Sequence, residues 1–309
     1  MILVRGSHSL ARLDKPTVAT IGNFDGFHLG HQKVCEFVIQ QSKQQQLASV
    51  IISFEPTAKE FFAGAQAPAR IYPLRKKIEL ARKLGFDYFV CLNFKQSLSN
   101  LPAVDFVQQI LHDSLQIKAL VVGDDFKFGN KRTGDIHLLR EMGVSLGFQV
   151  SDQSKISHEH DRISSTLIRN ALQESNFELA EKLMGRPFTI SGRVFHGDKK
   201  GRTIGFPTAN IILRRRNSPI NGVFAVAVTN KLESWQGVAN IGTRPTVNGK
   251  RMQLEVHLFN CQKELYGNRL EVEFLSKLRD EVKFPSFDAL KKQINLDAEN
   301  AKEFFSKRT

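Results

Sequence analysis

From Thr17 to about residue 184, short runs rich in Val, Ile and Phe alternate with segments whose apolar positions recur every three or four residues. "TVATIGNF" leads into the helical pattern "HQKVCEFVIQQSKQQQ", and "ASVIISFE" precedes "LRKKIELARKLG". "YFVCLNF" precedes "AVDFVQQILHDSL", and "ALVVGDDF" precedes "DIHLLREMGVSLG". The strand-like runs are apolar on both faces, as strands inside a parallel sheet are. This alternation predicts an open, doubly wound, Rossmann-like α/β sheet with helices on both sides. Such sheets bind ligands at the carboxyl ends of their strands. "GNFDGFHLGH" (22–31) and "GDDFKFG" (123–129) both follow such an end, so the two loops are expected to face one crevice.

The pattern changes near "LMGRPF" (183–188), where a Gly and a Pro interrupt a helical stretch. Beyond it lie short strand patterns separated by glycine-rich turns: "FTISGRVFHG", "GVFAVAVTN", "GVANIG", "QLEVHLFN" and "RLEVEFLSKL". They predict a small antiparallel β-barrel. An amphipathic helix, "SFDALKKQINLDAENAKEFFSK", closes the chain with Ser286 as its N-cap. Two domains are expected, residues 1–185 and 186–309.

Composition adds exclusions. The 309 residues are 41% hydrophobic and 24% charged, as in soluble globular proteins. No apolar run reaches membrane-spanning length, and "MILVRGSHSLARLDKP" lacks the sustained apolar stretch of a secretory signal. A cytoplasmic protein with no membrane contact is expected. Cys35, Cys91 and Cys261 are odd in number, far apart and set in or beside apolar stretches, which suits buried free thiols. No Cys/His cluster has the spacing of a zinc site. The net charge of +13 suits nucleic acid or small phosphorylated anions, but the basic residues are dispersed and no nucleic-acid module accompanies them.

"GNFDGFHLGH" carries the first chemistry. A helix that starts after a glycine-rich turn presents unpaired N–H groups and a positive dipole end, which together attract anions. His28 and His31, three apart, lie on one side of that start and can donate to phosphate oxygens as charge builds in a transition state. A pair of structural histidines is the blander alternative. The stretch resembles the HxGH signature of nucleotidyltransferases and, in its longer form, the adenylyltransferase module of the bacterial bifunctional riboflavin kinase/FAD synthetase family. "FEPTAKEFF", "VGDDFKFGNKRTGD" and "ISSTLIRNAL" continue the resemblance. It implies that His28 and His31 hold ATP phosphates and that Gly22, Phe24 and Asp125 line the nucleotide and flavin site. It also implies that Ser165, Thr166 and Arg169 close on phosphates. Leu167 stands where the fuller SSTRxR form has an arginine.

"GRVFHGDKKGRTIGFPTANI" (192–211) carries the second chemistry. Its glycines admit close backbone approach and its Lys and Arg residues supply positive charge, a weak signal alone. Thr208 and Asn210 share one face if extended, and their oxygens suit Mg²⁺ carrying nucleotide phosphates; an ordinary turn entering a strand is equally compatible. The stretch is similar to the riboflavin kinase motif GxVxxGxxxGRxxGxPTAN, and "GVANIGTRPT", "LEVHLFN", "LYGNRLEVEFLSKLRDE" and "KFPSFDAL" extend the likeness. The resemblance implies nucleotide binding at Gly197, Lys199, Gly201 and Arg202, metal binding at Thr208 and Asn210, and a catalytic base at Glu255.

The whole resemblance implies a flavin-cofactor enzyme using ATP, Mg²⁺, riboflavin and FMN and releasing FAD, with no nucleic-acid partner. Two alternatives remain: a chain that kept one of the two activities, and a basic nucleic-acid-binding protein built on a nucleotidyltransferase fold.

Overall fold

The computed structural model describes residues 1–6, 13–123, 125–153, 157–158, 161–195, 208–213, 217–246 and 249–308. They form two compact units, Met1–Pro68 with Tyr72–Ser165, and Ala69–Ile71 with Thr166–Thr309.

The first unit is built on six parallel strands: β1 (Ile2–Arg5), β2 (Thr17–Ile21), β3 (Ala48–Glu55), β4 (Tyr88–Asn93), β5 (Ile117–Gly123) and β6 (Gln149–Gln153). Their order is β1-β4-β3-β2-β5-β6. Strand β1 was not in the hydrophobic pattern described above. It is four residues long and pairs only along the sheet edge with β4, so little periodicity marks it. The helices are α1 (Leu29–Gln44), α2 (Ala58–Ala63), α3 (Leu74–Leu84), α4 (Gln96–Ser99), α5 (Ala103–Asp105) and α6 (Ile136–Leu146). Helix α5 runs on into a π-wound turn, Phe106–Ser114. A short hairpin, β7 (Ser157–His158) and β8 (Asp161–Arg162), follows β6.

Successive strand residues point to opposite faces, and both faces here are buried. Val18, Ile51, Phe89 and Val121 pack with Cys35, Val38 and Ile39 of α1 and Ile78 and Ala81 of α3. Ala19, Ile21, Val50, Ile52 and Val122 pack with Phe106, Val107, Ile110 and Leu111 and with Leu139 of α6. Each Val, Ile, Leu or Phe among them contributes roughly 1.5–3 kcal/mol when fully buried, so neither helix layer is dispensable. Cys35 and Cys91 are buried as expected, whereas Cys261 is half-buried. Burial pushes the Cys35 thiol well above the ordinary thiol range, with the charge of Glu36 acting in the same direction, which makes it a poor nucleophile.

Chain order explains where this sheet opens. After β2 the chain adds β3 and β4 on one side, then crosses to place β5 on the other side of β2. The carboxyl ends of β2 and β5 therefore flank the switch point, where open α/β sheets hold ligands.

The second unit carries α7 (Ser165–Gln173) from Thr166 onward, α8 (Phe177–Met184) and a closed antiparallel barrel. Its strands are β9 (Thr189–Phe195), β10 (Thr208–Ile212), β11 (Gly222–Thr229), β12 (Ser234–Thr246), β13 (Gly249–Leu258) and β14 (Arg269–Arg279), in the order β10-β13-β12-β11-β14-β9. Leu254, Val256, Leu270, Val272 and Phe274 fill the interior, while the intervening Glu255, Glu271 and Glu273 face outward. Helix α9 (Phe287–Ser306) starts at Ser286, whose hydroxyl accepts from Ala289 N at 3.2 Å. It is fastened to the barrel by Arg279, which donates to both carboxylate oxygens of buried Asp297 at 2.7–3.1 Å.

Candidate active sites

The first site forms where β2 turns into α1. Gly22 N donates to Ile52 O at 3.0 Å, and the chain then passes through positive φ at Phe24 (+47°), Gly26 (+77°) and Phe27 (+45°). Two non-glycine residues in that region each cost on the order of 1–3 kcal/mol, so the surroundings must enforce the shape. Both phenylalanine rings are buried, with centroids 5.8 Å apart. The Asp25 carboxylate accepts from Tyr72 N at 3.1 Å, and Ser165 Oγ donates to Asp25 O at 2.8 Å. Lys77, 1% exposed on α3, donates its ammonium to Asn23 O at 2.8 Å. Gln32 Nε2 donates to Phe27 O at 3.0 Å.

The enforced turn delivers His28 to the N-cap of α1, where its Nδ1 accepts from His31 N at 3.3 Å. An imidazole nitrogen that accepts has no proton, so His28 carries its proton on Nε2. The two histidine rings stack with centroids 3.6 Å apart. A side chain at Gly30 would place its Cβ 3.0 Å from His28 Nδ1, which explains the glycine between the histidines. The first turn of α1 has no acidic residue, so nothing there opposes an incoming anion.

Asp125 is exposed beyond the carboxyl end of β5, in a turn closed by Phe126 N donating to Gly123 O at 3.1 Å. Phe54 at the end of β3, Phe94 just past β4, and Phe61 and Phe62 on α2 form an aromatic cluster with ring centroids 5.1–5.9 Å apart. Phe62 is 71% exposed. "FEPTAKEFF" contains Phe54, Phe61 and Phe62, but nothing local in it announces that their rings meet Phe94. Lys77 and Asp25 were also missed, because their partners are 54 and 47 residues away.

Of the predicted residues, Gly22, Phe24, His28, His31 and Ser165 gather around this turn. The Ser165 proton is directed at Asp25 O, so its oxygen faces other groups as an acceptor. Thr166 and Arg169 fall in the second unit. Thr166 is exposed, and Arg169, half-buried, donates Nε–H to Ala69 O at 2.8 Å.

The second site lies on the outer face of the barrel. Antiparallel register puts Glu255 of β13 directly opposite Asn210 of β10 on one side and Asn240 of β12 on the other. Thr208 lies opposite His257. Gln253, two residues before Glu255 and on the same face, donates Nε2–H to Asn210 Oδ1 at 2.6 Å and to Glu255 Oε1 at 3.2 Å. Asn210 in turn donates Nδ2–H to Thr208 O at 3.3 Å. Asn240 Oδ1 is buried without a hydrogen-bond partner among the described residues. Three carboxamides thus surround one carboxylate. Gln253 and Asn240 were not anticipated, although the two-residue strand period places Gln253 beside Glu255. Gly197, Lys199, Gly201 and Arg202 lie outside the described residues.

Among the described residues no group of three or more His, Cys, Asp or Glu is placed to hold a metal ion. The oxygens of Thr208, Asn210, Glu255 and Asn240 are a hard donor set, which fits Mg²⁺ entering with nucleotide phosphates and not a thiolate-seeking metal.

Comparison with known proteins matches each half of the chain to a family. Residues 10–167 match the FAD synthetase family model and residues 184–305 the riboflavin kinase model. A bifunctional riboflavin kinase/FMN adenylyltransferase of Haemophilus influenzae is 47% identical over 99% of this chain and 100% of its own length. Its Escherichia coli K12 counterpart is 46% identical over 99% of this chain and 98% of its own. A solved structure described as a macrolide-efflux protein from Streptococcus pneumoniae superposes with a TM-score of 0.80 at 27% identity, covering 98% of this chain and 99% of that one. In the present chain no helix among the described residues is long and apolar enough to cross a membrane. With both models matched in order and relatives alike from end to end, the chain belongs to the family of bifunctional riboflavin kinase/FMN adenylyltransferases.

Proposed function

We propose that the chain makes FAD from riboflavin in two ATP-dependent steps, one for each of the two family matches. One observation carries this reading. A strained, histidine-capped helix start lies within the stretch matched by the FAD synthetase model, and a carboxylate ringed by carboxamides lies within the riboflavin kinase match. Residues 1–185 are assigned to the adenylyltransferase and residues 186–309 to the kinase.

In the kinase step the ribityl 5′-hydroxyl attacks the γ-phosphorus of ATP, ADP leaves, and Glu255 accepts the hydroxyl proton. Thr208 and Asn210 are the protein ligands for Mg²⁺, with Gly197, Lys199, Gly201 and Arg202 at the phosphates. Mg²⁺ held by these residues would supply charge neutralisation at the phosphate oxygens.

In the second step a phosphate oxygen of FMN attacks the α-phosphorus of a second ATP and pyrophosphate leaves. The nucleophile belongs to the substrate, so the protein's tasks are alignment and charge stabilisation. His28 donates from Nε2, and His31 and the N-terminus of α1 act beside it. Gly22, Phe24 and Asp125 border the nucleotide and flavin, Thr166 and Arg169 serve the phosphates, and the exposed cluster around Phe62 offers faces on which a flat isoalloxazine ring stacks. The Ser165 hydroxyl holds the turn. The positive charge serves these phosphorylated substrates, without a nucleic-acid partner, in the cytoplasm.

The test is direct. The protein is incubated with riboflavin, ATP and Mg²⁺, and the flavins are separated by chromatography. FMN followed by FAD is expected. Accumulation of FMN alone would remove the adenylyltransferase assignment, and unchanged riboflavin would remove the kinase.

A further inference from the structure

The polarity of the carboxamide group on the barrel face is dictated by one residue. A carboxylate only accepts hydrogen bonds, so the Gln253 atom that faces Glu255 Oε1 at 3.2 Å is the amide nitrogen. That same nitrogen lies 2.6 Å from Asn210, so Asn210 must turn its carbonyl oxygen toward it. The Asn210 amide nitrogen is then directed at Thr208 O, 3.3 Å away, closing the chain back on its own strand. Orientation passes from Glu255 through Gln253 to Asn210. Reversing any one amide would set oxygen against oxygen or nitrogen against nitrogen. Asn210 is 8% exposed and has little room to reorient in the open.

We propose that Gln253 is a positioning residue of the kinase site, one that ties the proton acceptor to the cation ligand. It holds the Asn210 carboxamide with Oδ1 facing Gln253 and Nδ2 facing the Thr208 carbonyl, and it steadies the Glu255 carboxylate on the same face of β13. An amide oxygen has two acceptor sites, so Asn210 Oδ1 accepts from Gln253 and still offers a lone pair to a hard cation. The inference rests on the assignment of Asn210 and Glu255 to the kinase site. Groups that orient a metal ligand from behind are worth about 10–100-fold in affinity or activity. Gln253 itself touches neither phosphate nor flavin in this scheme.

The test uses the full chain with Gln253→Met, which keeps length and removes the donor, and Gln253→Thr, a strand-compatible residue too short to reach. ADP binding is titrated calorimetrically with and without Mg²⁺, and the kinase isotherm is identified as the one that Asn210→Ala weakens. Both Gln253 variants are expected to lose about ten-fold in Mg²⁺-dependent ADP affinity. Riboflavin phosphorylation should need correspondingly more Mg²⁺, with the riboflavin KM unchanged. In the Asn210→Ala background Gln253→Met should add almost nothing to the binding loss, because the path runs through Asn210. Full additivity in that double variant, or wild-type Mg²⁺ dependence in both single variants, overturns the positioning role alone. If Asn210→Ala leaves every isotherm unchanged, the cation-ligand assignment falls first and this inference with it.

Discussion

His28 Nδ1 accepts from His31 N at 3.3 Å, and the two imidazoles stack face to face at 3.6 Å. One side chain therefore does two jobs. Its Nδ1 caps helix α1, and the proton this leaves on Nε2 is the donor assigned to the ATP phosphates.

The two jobs separate by mutation. Asn is a strong N-cap, so His28→Asn should preserve the helix start while removing the ring donor. FAD formation from FMN should fall by roughly 10²–10³-fold, the loss typical of one preorganised donor. Thermal stability should stay near that of wild type. His28→Ala should lose the same activity and, with the cap gone, about a further 1 kcal/mol of stability. Equal unfolding midpoints for the two variants would show that the cap contributes nothing.

At the barrel face, Glu255→Gln keeps size but turns a pure acceptor into a group with a donor end. FMN formation should drop by roughly 10²–10⁴-fold as the proton acceptor is lost. FAD formation from supplied FMN should be nearly unchanged, since His28 and its turn lie in the other unit. Chromatographic assay of both reactions on one preparation decides it, and ordinary kinase turnover would leave Glu255 a structural residue.

The parts of this molecule legible in the sequence are those written in local periodicity. Two-sided apolar runs such as "ASVIISFE" specify a sheet buried on both faces, and the alternation in "RLEVEFLSKL" specifies a barrel strand with Leu270, Val272 and Phe274 inward. The HxGH turn is likewise local, since its cap bond spans three residues. What stayed hidden depends on pairs far apart in the chain. Lys77 reaches Asn23 across 54 residues, Ser165 reaches Asp25 across 140, and Gln253 meets Asn210 across 43. Nothing in the neighbours of Asn240 announces that β12 will set it opposite Glu255. Register alone does that.

The stretch before the barrel makes a prediction about truncation. Phe177 of α8 is buried, with its ring 5.8 Å from Phe224 and 6.2 Å from Phe274. A fragment of residues 186–309 keeps the kinase residues but uncovers this aromatic group, giving up roughly 1.5–3 kcal/mol. It should still convert riboflavin to FMN, yet unfold roughly 5–10 °C below a fragment of residues 166–309. Paired melting curves and flavin assays test both statements. A folded but inactive 186–309 fragment would mean that the kinase needs residues before 186.

Helix α7 gives the last prediction, because the position where the fuller family motif has an arginine is occupied by Leu167. Residues 167 and 169 are about 200° apart around a helix, so they cannot serve one phosphate together. Leu167 is half-buried on the side of Ala171, which is buried, and Ile168 and Leu172 are buried beside it. Arg169 is left as the cation this segment brings, and its Nε–H bond to Ala69 O at 2.8 Å fixes the plane of the guanidinium. Arg169→Ala should raise the KM for ATP in FAD formation or slow the transfer, by the roughly 1.5–3 kcal/mol of a charge-assisted contact. Arg169→Lys should recover part of that loss through its charge but not the whole, because a lysine cannot reproduce the Nε–H bond that sets the geometry. Leu167→Ala should mainly lower stability and leave ATP use close to wild type. Steady-state kinetics with ATP varied, alongside melting curves, separate these outcomes. A larger catalytic loss at Leu167 than at Arg169 would place the phosphates on the other side of the helix.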